Sequence, residues 1–129
     1  MIINTKISVG ELIDKITILL IKKEKITESS KLQEITKELN YLQNIVIKNN
    51  LNSDLKFNEF LDSLLKVNKI LWDIEDKIRL KEKHKDFNKD FIELARSVYK
   101  NNDKRFYLKN LINLHYGSLI NEVKSYENY

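Results

Sequence analysis

Two stretches of the chain place ionisable side chains where an amphipathic helix carries its apolar ones. At about 100° per residue, Glu75 falls inside the sector set by Leu71 and Ile78, with Asn68, Trp72 and Arg79 along its edge. Further on, Asn102, Arg105 and Lys109 share the azimuth of Phe91, Ala95, Val98 and Ile112. An ion taken out of water without a partner is costly, so such groups must pair, change protonation or face a wet cavity. Glu75 is therefore expected to be at least half buried. Glu75 and Arg79 are expected to lie opposite some of Asn102, Arg105 and Lys109, with Asp76, Arg96, Tyr99 and Asp103 around the rim. Asp14 and Lys15 join this centre if the first helix is central.

Two kinds of chemistry fit such a centre. One is a closed network of ion pairs that fixes helix register or forms polar contacts across a dimer seam. The other is a pocket for a small anionic or sugar-like ligand, in which Arg supplies paired donors, Trp72 or Tyr99 a stacking face and Asn groups the orientation. In that case the ligand-binding set is Asn68, Trp72, Glu75, Asp76, Arg79, Arg96, Tyr99, Asn102, Asp103 and Arg105. A small enzyme acting on an anionic metabolite or nucleotide-sugar is the alternative, with Glu75 as general acid or base only if burial strengthened its hold on a proton. The composition draws attention to the guanidinium groups. Arg79, Arg96 and Arg105 are the only arginines among 23 basic residues, and a planar fork makes paired hydrogen bonds that an ammonium cannot.

Other chemistry finds little support. The chain has no Cys, hence no thiolate nucleophile or Cys-based metal site. His84 and His115 fall near helix ends without an H-E-x-x-H context. Glu75, Asp76, Asp103 and Asp14 could in principle hold Mg²⁺ on facing helices, but the repeated E-x-x-E spacing of helical pyrophosphatases is missing. No metal and no cofactor is expected, and no glycine-rich phosphate loop, nucleophile elbow or dinucleotide fingerprint is present. The net charge of +4 is spread evenly, and Lys-rich runs such as Lys22–Lys25 and Lys81–Lys85 contain acids, so a nucleic-acid partner is not expected. The longest apolar run, Ile18–Ile21, is far shorter than a membrane span. The expectation is no membrane and a cytoplasmic location.

The elements that must position these residues are helical. Pro is absent and Gly10 and Gly117 are the only glycines, too few turn-formers for a sheet. With 129 residues, the chain is expected to be a single helical domain, 1–129, folded as an all-α antiparallel bundle of about four helices with short extended arms at both ends. Ser8–Glu11 has capping-box spacing and opens a first helix from about Val9 to Thr27. Its main stripe is Val9, Leu12, Ile16, Leu19 and Ile26, but Ile18 and Ile21 lie nearly opposite, so the helix is either central in the bundle or shared between subunits. A second capping box at Ser30–Gln33 opens a peripheral helix with the seam Leu32, Ile35, Leu39, Leu42 and Val46. The third helix runs from Asp54 or Leu55 to Lys83, on the seam Phe57, Phe60, Leu61, Leu64, Val67, Leu71, Ile74 and Ile78. A turn at His84–Asn88 leads to a fourth, Lys89 to His115, with Phe91, Leu94, Ala95, Val98 and Ile112 inward and Gly117 as its stop.

Three ordered words resemble an uncharacterised bacterial family, a domain of unknown function found alone and with glycosyltransferase or tetratricopeptide-repeat proteins. They are Ser8-Val9-Gly10-Glu11-Leu12-Ile13-Asp14-Lys15-Ile16-Thr17-Ile18-Leu19, Asn68-x-x-Leu71-Trp72-x-Ile74-Glu75-Asp76-x-Ile78-Arg79, and Ala95-Arg96-Ser97-Val98-Tyr99-x-x-Asn102-Asp103-x-Arg105. The resemblance covers most of the chain, to Lys124-Ser125-Tyr126, and implies that Glu11, Asp14 and Lys15 are motif positions beside the candidate set. It brings no assigned catalytic residue. A weaker resemblance is to the small helical chorismate mutases, from which the second helix departs by lacking Arg. Taken together, the expectation is a homodimeric binding or interaction module, accessory to surface-glycan assembly as the first resemblance implies.

Overall fold

A computed structural model describes the chain from Met1 to Tyr129. Four helices follow one another, α1 Val9–Lys25, α2 Ser29–Lys48, α3 Lys56–Lys83 and α4 Lys89–Tyr116, with a 3-10 turn at Leu51–Ser53 between α2 and α3. The fold is all-α, a four-helix bundle without strands, and the helix ends lie within about two residues of where the apolar periodicity puts them.

Local chemistry sets those ends. The Ser8 hydroxyl accepts the Glu11 amide at 3.1 Å, so half of the expected capping box forms, while the Glu11 carboxylate turns away to Lys109. The second box does not form: Ser30 lies inside α2 and donates its hydroxyl to Glu28, the residue that occupies the cap position. The linker from Ile26 to Glu28 is short, so α2 starts at once and takes Ser30 into its first turn. Asn88 caps α4 by accepting the Phe91 amide at 3.1 Å. Gly117 ends it in the left-handed conformation, φ 62°, which lets the Ser118 amide reach back to the Asn113 carbonyl at 2.9 Å.

α1 is the central element. It packs against α2 on one side and the α3–α4 hairpin on the other, and α2 approaches no helix but α1. The core gathers Leu12, Ile16 and Leu19 of α1, Ile35, Leu39, Leu42 and Val46 of α2, Phe57 and Leu64 of α3, and Ile112 of α4. Ile13 and Ile21 are buried as well, and Ile18 partly so. The two-sided apolar pattern of α1 is thus satisfied within one chain, which removes the need for a second subunit at that helix.

Length mismatch limits the core. α3 and α4 have 28 residues each against 17 for α1, so the hairpin extends well past the helix it packs on. No residue between Ile74 and Asn101 is buried. Phe91, Leu94, Ala95 and Val98, expected inward, are only partly covered, because they face α3 in a stretch where no third helix follows.

At Gly10 α1 lies directly against the α4 backbone. Its amide donates to Asn113 Oδ1 at 2.7 Å, and an added Cβ would stand 2.5 Å from the Lys109 carbonyl oxygen and 2.7 Å from Asn113 Oδ1. Gly10→Ala should destabilise the fold by about 1–3 kcal/mol through overpacking against backbone, although alanine is the better helix former. Urea melts of the two proteins check this; equal midpoints would show that the close approach is not constraining.

Candidate functional site

The centre is built on Asp14. α1 carries this carboxylate into the interior on the same flank as Thr17 and Ile21, and its side chain is 1% exposed. Arg105 of α4 grips it with both prongs: Nε donates to Oδ1 at 2.8 Å and Nη2 donates to Oδ2. Asn68 of α3 donates Nδ2 to the same Oδ1 at 2.8 Å and to Thr17 Oγ1 at 2.8 Å. The Thr17 hydroxyl in turn donates to the Asp14 carbonyl at 2.7 Å. One buried anion therefore ties three helices together, and the hydrogen bond to Asp14 raises the Arg105 pKa against the opposing effect of burial.

A second ionic group lies one turn along α4. Lys109 Nζ sits 2.7 Å from Glu11 Oε2 and 2.7 Å from Glu122 Oε2, with only 7% of its side chain exposed. Burial alone would weaken its hold on the proton, but the two carboxylates outweigh it and the pKa is raised. Glu122 comes from the segment after α4, which folds back along that helix. Lys124 of this segment lies over the Phe106 ring, and Tyr129 packs edge-on against Tyr99 and donates its hydroxyl to Asp103.

Beside the Asp14–Arg105 pair opens a cavity of about 490 Å³, lined by Ile18 and Ile21 of α1, Asn68, Leu71, Trp72, Glu75, Asp76 and Arg79 of α3, and Asn102 and Arg105 of α4. Seven of the ten candidate residues face it. Glu75 and Arg79 form an ion pair with each other at 3.3 Å along α3, with side chains 48% and 78% exposed. Glu75, its side chain about half covered, thus lies on an open wall of this cavity. Glu75 and Arg79 share this cavity with Asn102 and Arg105, while the charges of Arg105 and Lys109 go to Asp14 and Glu11, because α1 lies in the groove between α3 and α4.

Three candidates point elsewhere. Arg96 pairs with Glu93 at 2.9 Å on the outer side of α4. Tyr99 and Asp103 turn to the tail and line a separate cavity of about 330 Å³ with Tyr126 and Tyr129. Asn102 lies on both cavities. His115, near the end of α4, is exposed; it approaches Asp54 at 2.6 Å and meets the Phe60 ring edge-on. No group of three or more His or carboxylate side chains is placed to hold a metal ion.

The geometry fixes two outcomes. Arg105→Lys keeps the charge but cannot hold both Asp14 oxygens, and should destabilise by about 1–3 kcal/mol. Arg79→Lys, at an exposed pair within one helix, should change stability by less than about 0.5 kcal/mol. Chemical denaturation of the two variants distinguishes them, and equal losses would refute the assignment of the constraint to Asp14.

The second outcome concerns alkaline pH. Because the folded Lys109 pKa is raised, its contribution is complete below the unfolded lysine pKa of about 10.4 and is lost as pH climbs through the folded value. Tyr116, pushed up to about 12 chiefly by burial, acts in the same direction, since the fold favours its neutral form. Melting temperature should fall steeply above about pH 10, and the fall should be shallower in Lys109→Met and Tyr116→Phe. Parallel profiles for all three proteins would contradict this.

No curated protein and no solved structure matches the chain. A sequence family described as a family of unknown function, DUF6165, matches residues 3–129. Its match spans nearly the whole bundle, from the extended start through the α1–α3–α4 centre to the tail, and the chain belongs to this family.

Proposed function

We propose that the chain is a binding module for a small polyhydroxylated ligand bearing an anionic group, of the sugar-phosphate kind. The observation that carries this is the convergence of Asn68, Trp72, Glu75, Asp76, Arg79, Asn102 and Arg105 on one open cavity. The mix of groups supports the ligand class. Trp72 offers a flat apolar face to a sugar ring, while Asp76, Glu75 and Asn102 accept from hydroxyl groups. Arg79, with a side chain 78% exposed, is free to swing to an anion. Arg105 commits Nε and Nη2 to Asp14, and its remaining edge lines the cavity, so it adds a donor held in place by the core.

The setting is a cytoplasmic homodimer acting as an accessory to surface-glycan assembly. The resemblance of the three sequence words to a family found with glycosyltransferases supports that setting.

Trp72 is the only tryptophan, so its fluorescence reports on this cavity alone. Titration with sugar phosphates should give a saturable change that free sugars and simple dicarboxylates give more weakly. Arg79→Ala should lower the apparent affinity by about tenfold or more, the loss of one charged hydrogen bond. A flat Trp72 signal across the panel would overturn the ligand assignment.

A further inference from the structure

We propose that the outward face of distal α3 docks on the same face of a second copy of this chain, antiparallel about a two-fold axis near Glu75. The proposal names the seam of the homodimer and rests on that self-association, not on the ligand.

The far part of the α3–α4 hairpin has only one layer of packing, with no buried residue between Ile74 and Asn101. Helices in proteins draw most of their stability from the tertiary packing of one face, and a second hairpin would supply it. Large apolar side chains remain open along it, with Ile70 at 42% and Leu80 at 56% exposure. These two lie on one side of α3 with Asp73 and Lys77, at successive spacings of about three and four residues. Asp73 and Lys77 are exposed, and no ion pair within the chain uses either, although the neighbouring Lys69, Glu75, Arg79 and Lys81 are all paired.

The stripe is its own complement when reversed. Run antiparallel, Ile70 faces Leu80 and Asp73 faces Lys77, and the two-fold repeats both pairs. A two-fold contact must be self-complementary in this way, and opposite charges set register between helices as they do beside a coiled-coil seam. A parallel arrangement would set Asp73 on Asp73 and Lys77 on Lys77. Asp76, on the edge of the stripe, also lines the cavity.

The test is sedimentation equilibrium on the full chain, with circular dichroism to verify helicity. The wild-type chain should dimerise. D73K and K77D, each placing like charges across the axis, should weaken self-association by about tenfold or more. An equimolar mixture of the two variants should restore a dimer, since one stripe is then basic and the other acidic. The double variant D73K/K77D should dimerise like wild type. A monomeric wild-type chain overturns the homodimer and the seam together, whereas a dimer indifferent to all these changes overturns the seam alone. Trp72 titration of the same variants reads the ligand reading separately.

Discussion

A carboxylate removed from water must be satisfied from every side, and Asp14 is satisfied from two other helices at once. Arg105 reaches it from α4 and Asn68 from α3, so sliding either helix by one residue along α1 would strand a buried charge. Hydrophobic contacts alone tolerate such slips more easily, because they are non-directional. Buried ion pairs often add little net stability compared with apolar packing, yet breaking one is expensive. The constraint therefore acts on register. It also holds Arg105 and Asn68 where their remaining edges form the inner wall of the cavity.

The start of α1 shows the same logic applied to backbone groups. A helix leaves its first amides without internal partners, and here that end is pressed against α4. Val9 donates to Ser118 Oγ at 3.1 Å, Gly10 to Asn113 Oδ1 at 2.7 Å and Glu11 to Ser8 Oγ at 3.1 Å. Two of those acceptors come from the end of α4 and the turn behind Gly117, so closing α4 and opening α1 are one structural event. Absence of a Cβ at Gly10 is what permits the approach. Lys109, between Glu11 and Glu122, then holds the tail to the same corner.

Helical periodicity made the four elements, the central place of α1 and the single seam of α2 legible, because each depends on which face is apolar. It could not supply depth. Glu75 sits at an azimuth that looked internal, but at its level α1 is ending and the face opens into a cavity. Asp14 carried the opposite signal: it shares a flank with Thr17, Ile18 and Ile21, yet a wheel for one helix does not say which neighbour will cover that flank. α3 and α4 pack directly as a hairpin should, but the charges of Arg105 and Lys109 go to α1, which lies in the groove between them. Gly10 had a sequence signal, being one of two glycines in the chain and lying inside a helix. The tail had none, since Glu122, Lys124 and Tyr129 follow no period and find α4 only through long-range contacts.

The polar residues divide into two populations with different physical meaning. Asp14, Asn68, Thr17 and Lys109 are enclosed and fully engaged, and stability and register account for them. Trp72, Glu75, Asp76 and Arg79 are not enclosed. An exposed pair such as Glu75 with Arg79 contributes roughly 0–1 kcal/mol, and an aromatic ring left partly in water gives up much of its burial energy. Folding has little use for them in that place, and more apolar side chains on this wall would extend the core beyond α1. That they instead gather around an open volume, against the one arginine the core holds rigid, is what a preorganised binding surface requires: fixed donors behind, and adjustable groups in front.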